Sequence, residues 1–315
     1  MGKKLETTGN TETRYAAIDI GSNAVRLLIK RVDPNEDDRL TKMVLIRIPL
    51  RLGIDAFSLG EISKEKVKNL IRLMKAYRQL MKIYDVAAFR ACATSAMRDA
   101  RNGAEIIRKV RKATGIPIEI IDGQEEARMI YNNHIEYMKD RCGNFMYIDV
   151  GGGSTEINLL VNGQLLVSRS YNIGTIRMLN QAVAEEEWMR LQYDMTEIAR
   201  SYPHIDIIGS GGNINKLYRL SPAKDETAQR IATDDLAALH ASIERMTVEE
   251  RIEQLGLKPD RADVIVPAGT IFLYIARCLQ ARYIYVPMIG LADGIIDAIY
   301  VEHKRAALSR QIPIE

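Results

Sequence analysis

One pattern occurs twice in this chain, and it constrains the fold more than any other feature. An apolar run (YAAIDI, 15–20) ends at Asp19-Ile20-Gly21-Ser22-Asn23, and a second apolar run (AVRLLI) follows. At FMYIDVGGGSTEINLL the same order returns, with Asp149-Val150-Gly151 at the turn. Two apolar segments joined by a tight glycine turn predict a strand, a hairpin and a strand. Each copy opens a mixed block of strands and helices, so the repeat is a duplication at domain scale, not a short-period solenoid.

The blocks themselves alternate. After the first hairpin come a third strand near MVLIRIPL and a helix from Ser63 to Tyr84, with apolar residues at three/four spacing and Ser63 as its cap. A strand at VAAFRA, a helix near Asn102–Ala113, a strand at PIEIID and a helix from Gly123 follow. The second copy continues through a hairpin at Asn162-Gly163, helices near 175–184 and 186–201, a strand at IDIIG and helices to about 255. A helix near 263–279, the strand RYIYVP and a helix from about 291 close the chain. This alternation predicts α/β architecture with largely parallel sheets. The expected division is a mobile leader over 1–14, a domain over 15–142, a second over 143–290, and a helix over about 291–315 that packs back on the first.

The 315 residues, 47% of them hydrophobic and 27% charged, suffice for two globular cores. No stretch approaches the roughly 20 apolar residues of a membrane helix, and the polar start MGKKLETTGNTETR lacks the apolar centre of a signal peptide. Cys92, Cys142 and Cys278 are odd in number and widely spaced, which predicts a reducing, cytoplasmic setting. Aromatic content is 6%, with one Trp, giving no platform for nucleic acid. The net charge of +3 is uneven: Arg47–Lys112 holds 16 Lys/Arg against 6 Asp/Glu, an excess of 10, so the remainder carries −7. A basic lobe attracts anions, though Lys64, Lys68, Lys75 and Lys82 read equally as a solvated helix face.

Asp19 at a strand end, with Gly21, Ser22 and Asn23 in the turn, suits phosphate oxygens and a metal or its water, or is an ordinary hairpin. In the second copy Gly151, Gly152 and Gly153 let a polyanion approach the backbone, with Ser154 and Thr155 beside them. Glu156, seven residues after Asp149, folds back toward it. Hard oxygen ligands beside phosphate suit Mg²⁺. Gly211, Gly212 and Asn213 form a further glycine loop between strand and helix. In Gly123-Gln124-Glu125-Glu126 an acid at a helix start suits the dipole, or serves as a general base. Arg98 clamps a phosphate or pairs with Asp99, and Cys92 reads as a small buried residue.

The segments AAIDIGSNAVRLLI, RACATSAMRDARN, IEIIDGQEEARMIY, YIDVGGGSTEI and IGSGGNINKL, with RADVIVPAGTIF and GLADGIIDAIY after them, resemble the exopolyphosphatase / guanosine pentaphosphate phosphohydrolase family. The resemblance implies a short two-domain form of the actin-like ATPase superfold: duplicated ribonuclease-H-like domains with the ligand in an interdomain cleft. Longer family members add C-terminal helical domains. It implies hydrolysis of the terminal phosphoanhydride of polyphosphate, or of the 5′ phosphate of guanosine pentaphosphate. Glu126 matches the catalytic base, Asp149, Gly151 and Glu156 match positions that handle magnesium and phosphate, and Arg98, Gly211 and Gly212 match ligand contacts. The expected metal set is Asp19, Asp149 and Glu156, with Mg²⁺ as cofactor. Ala292 stands where the family often has Arg. A kinase of the same superfold, a non-catalytic guanosine tetra- or pentaphosphate regulator and an actin-like filament are the competing readings. The expected partner is the phosphate substrate, without membrane or specific nucleic acid, and with room for a homodimer.

Overall fold

The computed structural model describes residues 12–33, 39–129, 143–287 and 290–309. Two sheets result, one from each copy of the repeat. The first contains β1 (Arg14–Ile20), β2 (Val25–Asp33), β3 (Arg39–Ile48), β4 (Ala88–Ala93) and β5 (Glu119–Ile120), in the order β3-β2-β1-β4-β5. β1, β2 and β3 are antiparallel, whereas β4 and β5 continue parallel to β1. The second contains β6 (Asn144–Val150), β7 (Thr155–Val161), β8 (Gln164–Tyr171), β9 (Ile205–Ser210), β10 (Arg230–Ala232) and β11 (Tyr283–Tyr285), in the order β10-β11-β9-β6-β7-β8. Removing the antiparallel edge β10 leaves the order of the first sheet. This is the duplicated ribonuclease-H-like arrangement.

The helices of the first half are α1 (Leu52–Leu59), α2 (Lys64–Ile83), α3 (Ser95–Asp99) and α4 (Gly103–Thr114), and α5 begins at 123 and is described to 129. Those of the second are α6 (Thr175–Leu179), α7 (Glu185–Ser201), α8 (Gly212–Leu220), α9 (Thr233–Glu244), α10 (Val248–Leu255), α11 (Pro259–Ala262), α12 (Ile265–Leu279) and α13 (Leu291–Ser309). α2 forms where its period predicts: Val67, Leu70, Met74, Tyr77 and Met81 are buried, and Ser63 Oγ accepts from Lys66 N.

The period-2 alternation of the central strands divides the interior. In β1, Ala16, Ile18 and Ile20 enter one core, while Tyr15 and Ala17 enter another. In β6, Met146, Ile148 and Val150 enter the core of the second half, while Phe145 and Tyr147 join Tyr15 and Ala17. That shared cluster is completed by Ile121, Met129 and the α13 residues Leu291, Ile295, Ile296 and Ile299. α13 leaves the second sheet and packs on β1, β2 and β4 of the first.

Several expectations need correction. Pro259–Leu279 is long and apolar enough, by length and composition, to cross a membrane, so the reading that no stretch approaches that size does not hold. Of its most apolar window 61% is buried, and α12 is buried nearly all round among α6, α7, α8 and α9, which marks a core helix. α1, α3 and β10 were not foreseen. The strand at VAAFRA starts two residues later, PIEIID pairs only at Glu119–Ile120, and the helix near 175–184 ends at Leu179. β1 opens at Arg14, inside the expected leader; residues 1–11, Cys142 and the rest of the helix expected from Gly123 lie outside the described residues.

Candidate active site

β1 and β6 each carry an aspartate one residue before their end, and each enters a hairpin closed by the same backbone bond. Gly21 N donates to Ala24 O at 3.1 Å, and Gly151 N donates to Ser154 O at 2.9 Å. Strand register then decides what faces each aspartate: Arg26 opposes Asp19, and Glu156 opposes Asp149. The two hairpins are alike in backbone and opposite in charge. Arg26 Nη1 donates to Asp19 Oδ2 at 2.6 Å, and Asp19 is 2% exposed. In the second hairpin two carboxylates stand side by side, and Glu156 is 1% exposed.

Both hairpin tips open on one cavity of about 290 Å³. It is lined by Asp19, Gly21, Ser22 and Asn23 from the first half, by Asp149, Gly151, Gly152, Ser154, Gly211, Gly212 and Asn213 from the second, and by Glu126 between them. Glu126 is 7% exposed, and its Oε2 has no hydrogen-bond partner. Asn23 Nδ2 donates across the halves to Asp260 O at 3.1 Å, leaving its buried Oδ1 unpartnered. Ser22 Oγ is engaged within its own half, by Ser95 Oγ at 2.8 Å and Ala96 N at 3.2 Å.

Four expected site residues do not line the cavity: Arg98, Gly153, Thr155 and Glu156. Thr155 Oγ1 donates to Ile173 O at 2.6 Å, which makes it a structural bond of the strand. Arg98 Nη1 donates to Ile121 O at 2.7 Å, while Asp99 pairs with Arg177, so neither reading of Arg98 describes its bond. Glu156 lies one layer behind the cavity wall. It accepts from Ser170 Oγ at 2.9 Å and is hydrogen-bonded to Ser154.

The glycines at 152 and 153 have a steric cause in addition to any polyanion approach. A Cβ on Gly152 would lie 2.9 Å from Ser22 Cβ and 3.0 Å from Asn23 N, and one on Gly153 would collide with Phe57 and Ser95. Their bareness lets the loops of the two halves touch. Gly211 has φ 103°, a left-handed value, and a Cβ there would lie 2.8 Å from Asp149 Oδ1.

The carboxylates perturb one another. Burial, then Glu156, Asp149 and Asp19, push the Glu126 pKa well above the ordinary carboxylate range, and Arg98 opposes them. Burial, with Asp19 adding and Arg26 and Ser210 opposing, raises Asp149 to about 6. Burial and Asp149 raise Glu156 to about 7, against Ser154, Ser170 and Arg98. Facing this group are Arg26, Arg47, Arg219 and Arg261. Burial, then Arg47 and Arg26, lower Arg261 to about 10. The cavity thus gathers perturbed carboxylates and several guanidinium groups in one place, as a functional site for an anion does.

The arginines are what sequence reasoning missed. Arg26 stands seven residues after Asp19, the offset that drew attention to Glu156, and was readable. Arg261 lies in the segment RADVIVPAGTIF, and Arg47 in the basic lobe, but no signal marks Arg219.

Among the described residues no group of three or more His, Cys, Asp or Glu is arranged to hold a metal ion. Asp19 is moreover committed to Arg26. The donor chemistry still fits Mg²⁺, which is commonly held by one or two carboxylates together with substrate phosphates and waters rather than by a protein cage. The unpartnered Glu126 Oε2 and the facing Asp149 and Glu156 leave negative charge in surplus.

The model of the Ppx/GppA phosphatase family matches residues 28–303. The chain belongs to this family. Exopolyphosphatase 1 of Mycobacterium tuberculosis is 26% identical over 301 residues, spanning 90% of this chain and 87% of that protein. An exopolyphosphatase from Cytophaga hutchinsonii superposes with a TM-score of 0.80 at 22% identity, over 92% of this chain and 98% of that one. The Aquifex aeolicus Ppx/GppA family member gives 0.74 at 24% identity, over 93% and 99%. These two share its fold. Membership of the Ppx/GppA phosphatase family gives the cavity a reaction class, hydrolysis of a phosphate bond.

Proposed function

We propose that the protein hydrolyses the terminal phosphoanhydride of inorganic polyphosphate, with Glu126 as general base. The observation that carries this reading is the buried Glu126 carboxylate, one oxygen unpartnered, in a cavity walled by both aspartate-bearing hairpins. A raised pKa suits a base that takes a proton from water near neutral pH. The terminal phosphate lies between the turns at Gly21–Asn23 and Gly151–Ser154, in line with a water on Glu126. Asp149 would hold Mg²⁺ at the cavity wall, with the Glu156 carboxylate behind it adding negative charge and Asp19 held by Arg26 beside it. Magnesium, when bound, supplies positive charge to the phosphoryl oxygens. Arg26, Arg47, Arg219 and Arg261 take the next phosphates, adding fixed positive charge where negative charge develops.

Polyphosphate is favoured over guanosine pentaphosphate because no aromatic side chain lines the cavity among the described residues, so a base finds no stacking partner. The test is phosphate release with Mg²⁺ from short polyphosphate, long polyphosphate, guanosine pentaphosphate and ATP, in the parent and in Glu126→Gln. The variant is expected to lose about 10²–10⁴-fold in rate and keep its binding. Near-full activity would overturn the base assignment. Tight binding without turnover by the parent would mark a regulator, and transfer to an acceptor hydroxyl a kinase.

A further inference from the structure

The turn that carries Glu126 is tied on either side to a different half of the molecule. Before it, Ile121 N donates to Ala93 O at 3.1 Å, and Arg98 Nη1 donates to Ile121 O at 2.7 Å, which holds the chain to β4 and α3. Glu126 N then donates to Asp122 O at 3.0 Å, in the first turn of α5. Directly after Glu126 the second sheet takes over. Asn158 Nδ2, on β7, donates to Ala127 O at 2.9 Å, a buried bond between residues 31 positions apart.

Strand alternation explains how Asn158 reaches α5. Ile157 and Leu159 enter the core of the second half, so Glu156, Asn158 and Leu160 face the other way. On that face, register sets two rows across three strands: Asp149, Glu156 and Ser170 in one, and Tyr147, Asn158 and Ser168 in the next. α5 starts against the first row, where a Cβ on Gly123 would lie 2.3 Å from Ser170 Oγ, and it bonds to the second row through Asn158. Glu126 lies between these two contacts and lines the cavity together with Asp149.

Asn158 is 0% exposed, and its Oδ1 has no hydrogen-bond partner. Only the amide nitrogen donates to a carbonyl, so the bond to Ala127 turns the oxygen away from it. A buried acceptor left unpaired destabilises the fold, and an apolar side chain of similar volume would fill the place without that cost. Glu126 Oε2 is unpartnered as well, so no bond at that oxygen aims the carboxylate. Its aim comes from the backbone turn that bears it.

We propose that Asn158 is a positioning residue for the hydrolysis: it fixes the first turn of α5 on the second sheet, so that Glu126 stands at the reacting phosphate. The proposal rests on the reading of Glu126 as general base. A shift of that turn by about 1 Å costs up to about 10²-fold in rate and leaves the cavity arginines in place.

The test is a double-mutant cycle of Asn158→Leu and Glu126→Gln in the full chain, with kcat and KM measured on tripolyphosphate with Mg²⁺. Asn158→Leu is expected to lower kcat at least about tenfold and to leave KM within about twofold. In the Glu126→Gln background the same change is expected to alter kcat by less than about twofold, since no base is left to misplace. Thermal unfolding is expected to show Asn158→Leu at least as stable as the parent, because the unpaired oxygen leaves with the amide. A purely structural bond gives the reverse, a lower melting temperature with kcat reduced equally in both backgrounds, and that result would overturn the proposal. Should Asn158→Leu fail to fold, Asn158→Ala takes its place in the cycle, with the same split in kcat between the two backgrounds. A slow Glu126→Gln beside an Asn158→Leu of parental kcat overturns this proposal alone. A parent that releases no phosphate, or a Glu126→Gln of near-full activity, overturns the base reading and this proposal together.

Discussion

Asp19 and Asp149 occupy equivalent places and live in opposite surroundings, because the residue seven positions on is Arg26 in one hairpin and Glu156 in the other. The difference has a pH signature. Asp149 is raised from 3.8 to about 6, and Glu156 from 4.5 to about 7. A raised folded-state pKa means that the folded protein holds the proton more tightly. The contribution is complete below about pH 4 and is lost as pH rises through 6 and then 7. At pH 8 the ligand-free protein therefore carries buried charge that costs on the order of 1–3 kcal/mol. Glu156→Gln is expected to remove much of that cost, raising the melting temperature at pH 8 by a few degrees and at pH 5 hardly at all, while phosphate release is lost. Thermal unfolding of both proteins at the two pH values checks it; equal shifts at both would show that Glu156 is not the strained group. Phosphate release by the parent is expected to fall as the pH drops through the raised pKa of Glu126, well above the ordinary carboxylate range, since Glu126 must be ionised to accept a proton.

At the scale of elements, the apposed hairpins depend on what is absent from Gly152 and Gly153. Gly153→Ala places a methyl group against Phe57 and Ser95, so the halves must part or the turn must move. Overpacking of this kind costs about 1–3 kcal/mol. kcat/KM for polyphosphate is expected to fall at least about tenfold, and the melting temperature by several degrees. A variant with both values unchanged would show that the contact is dispensable. The same pair shows where sequence reading reaches its limit. Asp19 and Asp149 were legible because each sits at the end of an apolar run whose period fixes its element, Glu126 was told from Glu125 only by the family resemblance, and α2 was legible because 20 residues repeat one period. Gly152 and Gly153 were found without their contacts to the other half, since which half a bare backbone touches is a tertiary fact. α1 escaped because eight residues behind an apolar strand carry too little period, yet its start holds the first loop: Gly53 N donates to Ser22 O at 2.8 Å. Thr155 and Arg98 were placed with the ligand on motif alone, and their hydrogen bonds go elsewhere.

The whole molecule is fastened across the cleft by ion pairs near the rim. Arg51 pairs with Asp263 at 2.5 Å, Arg47 with Asp260, and Arg177 with Asp99 at 2.5 Å. Arg177 also lies 4.0 Å over the Phe57 ring, and Asn180 Nδ2 donates to Ile54 O at 3.1 Å. Partly exposed pairs contribute about 1 kcal/mol or less each. Asp263→Asn combined with Asp99→Asn is therefore expected to shift the balance toward an open form several-fold, with little loss of fold. Small-angle scattering reads this as a larger radius of gyration that saturating polyphosphate restores. An unchanged radius would show that the buried contacts alone keep the halves together.

The chain crosses from the first sheet to the second between Ile120 and Asn144, and it returns between Tyr285 and Leu291 to lay α13 on β1. A door hung at two points swings but does not slide. If the cleft opens, its two walls are therefore expected to swing apart rather than slip past each other, carrying Asp19 and Asp149 away from one another.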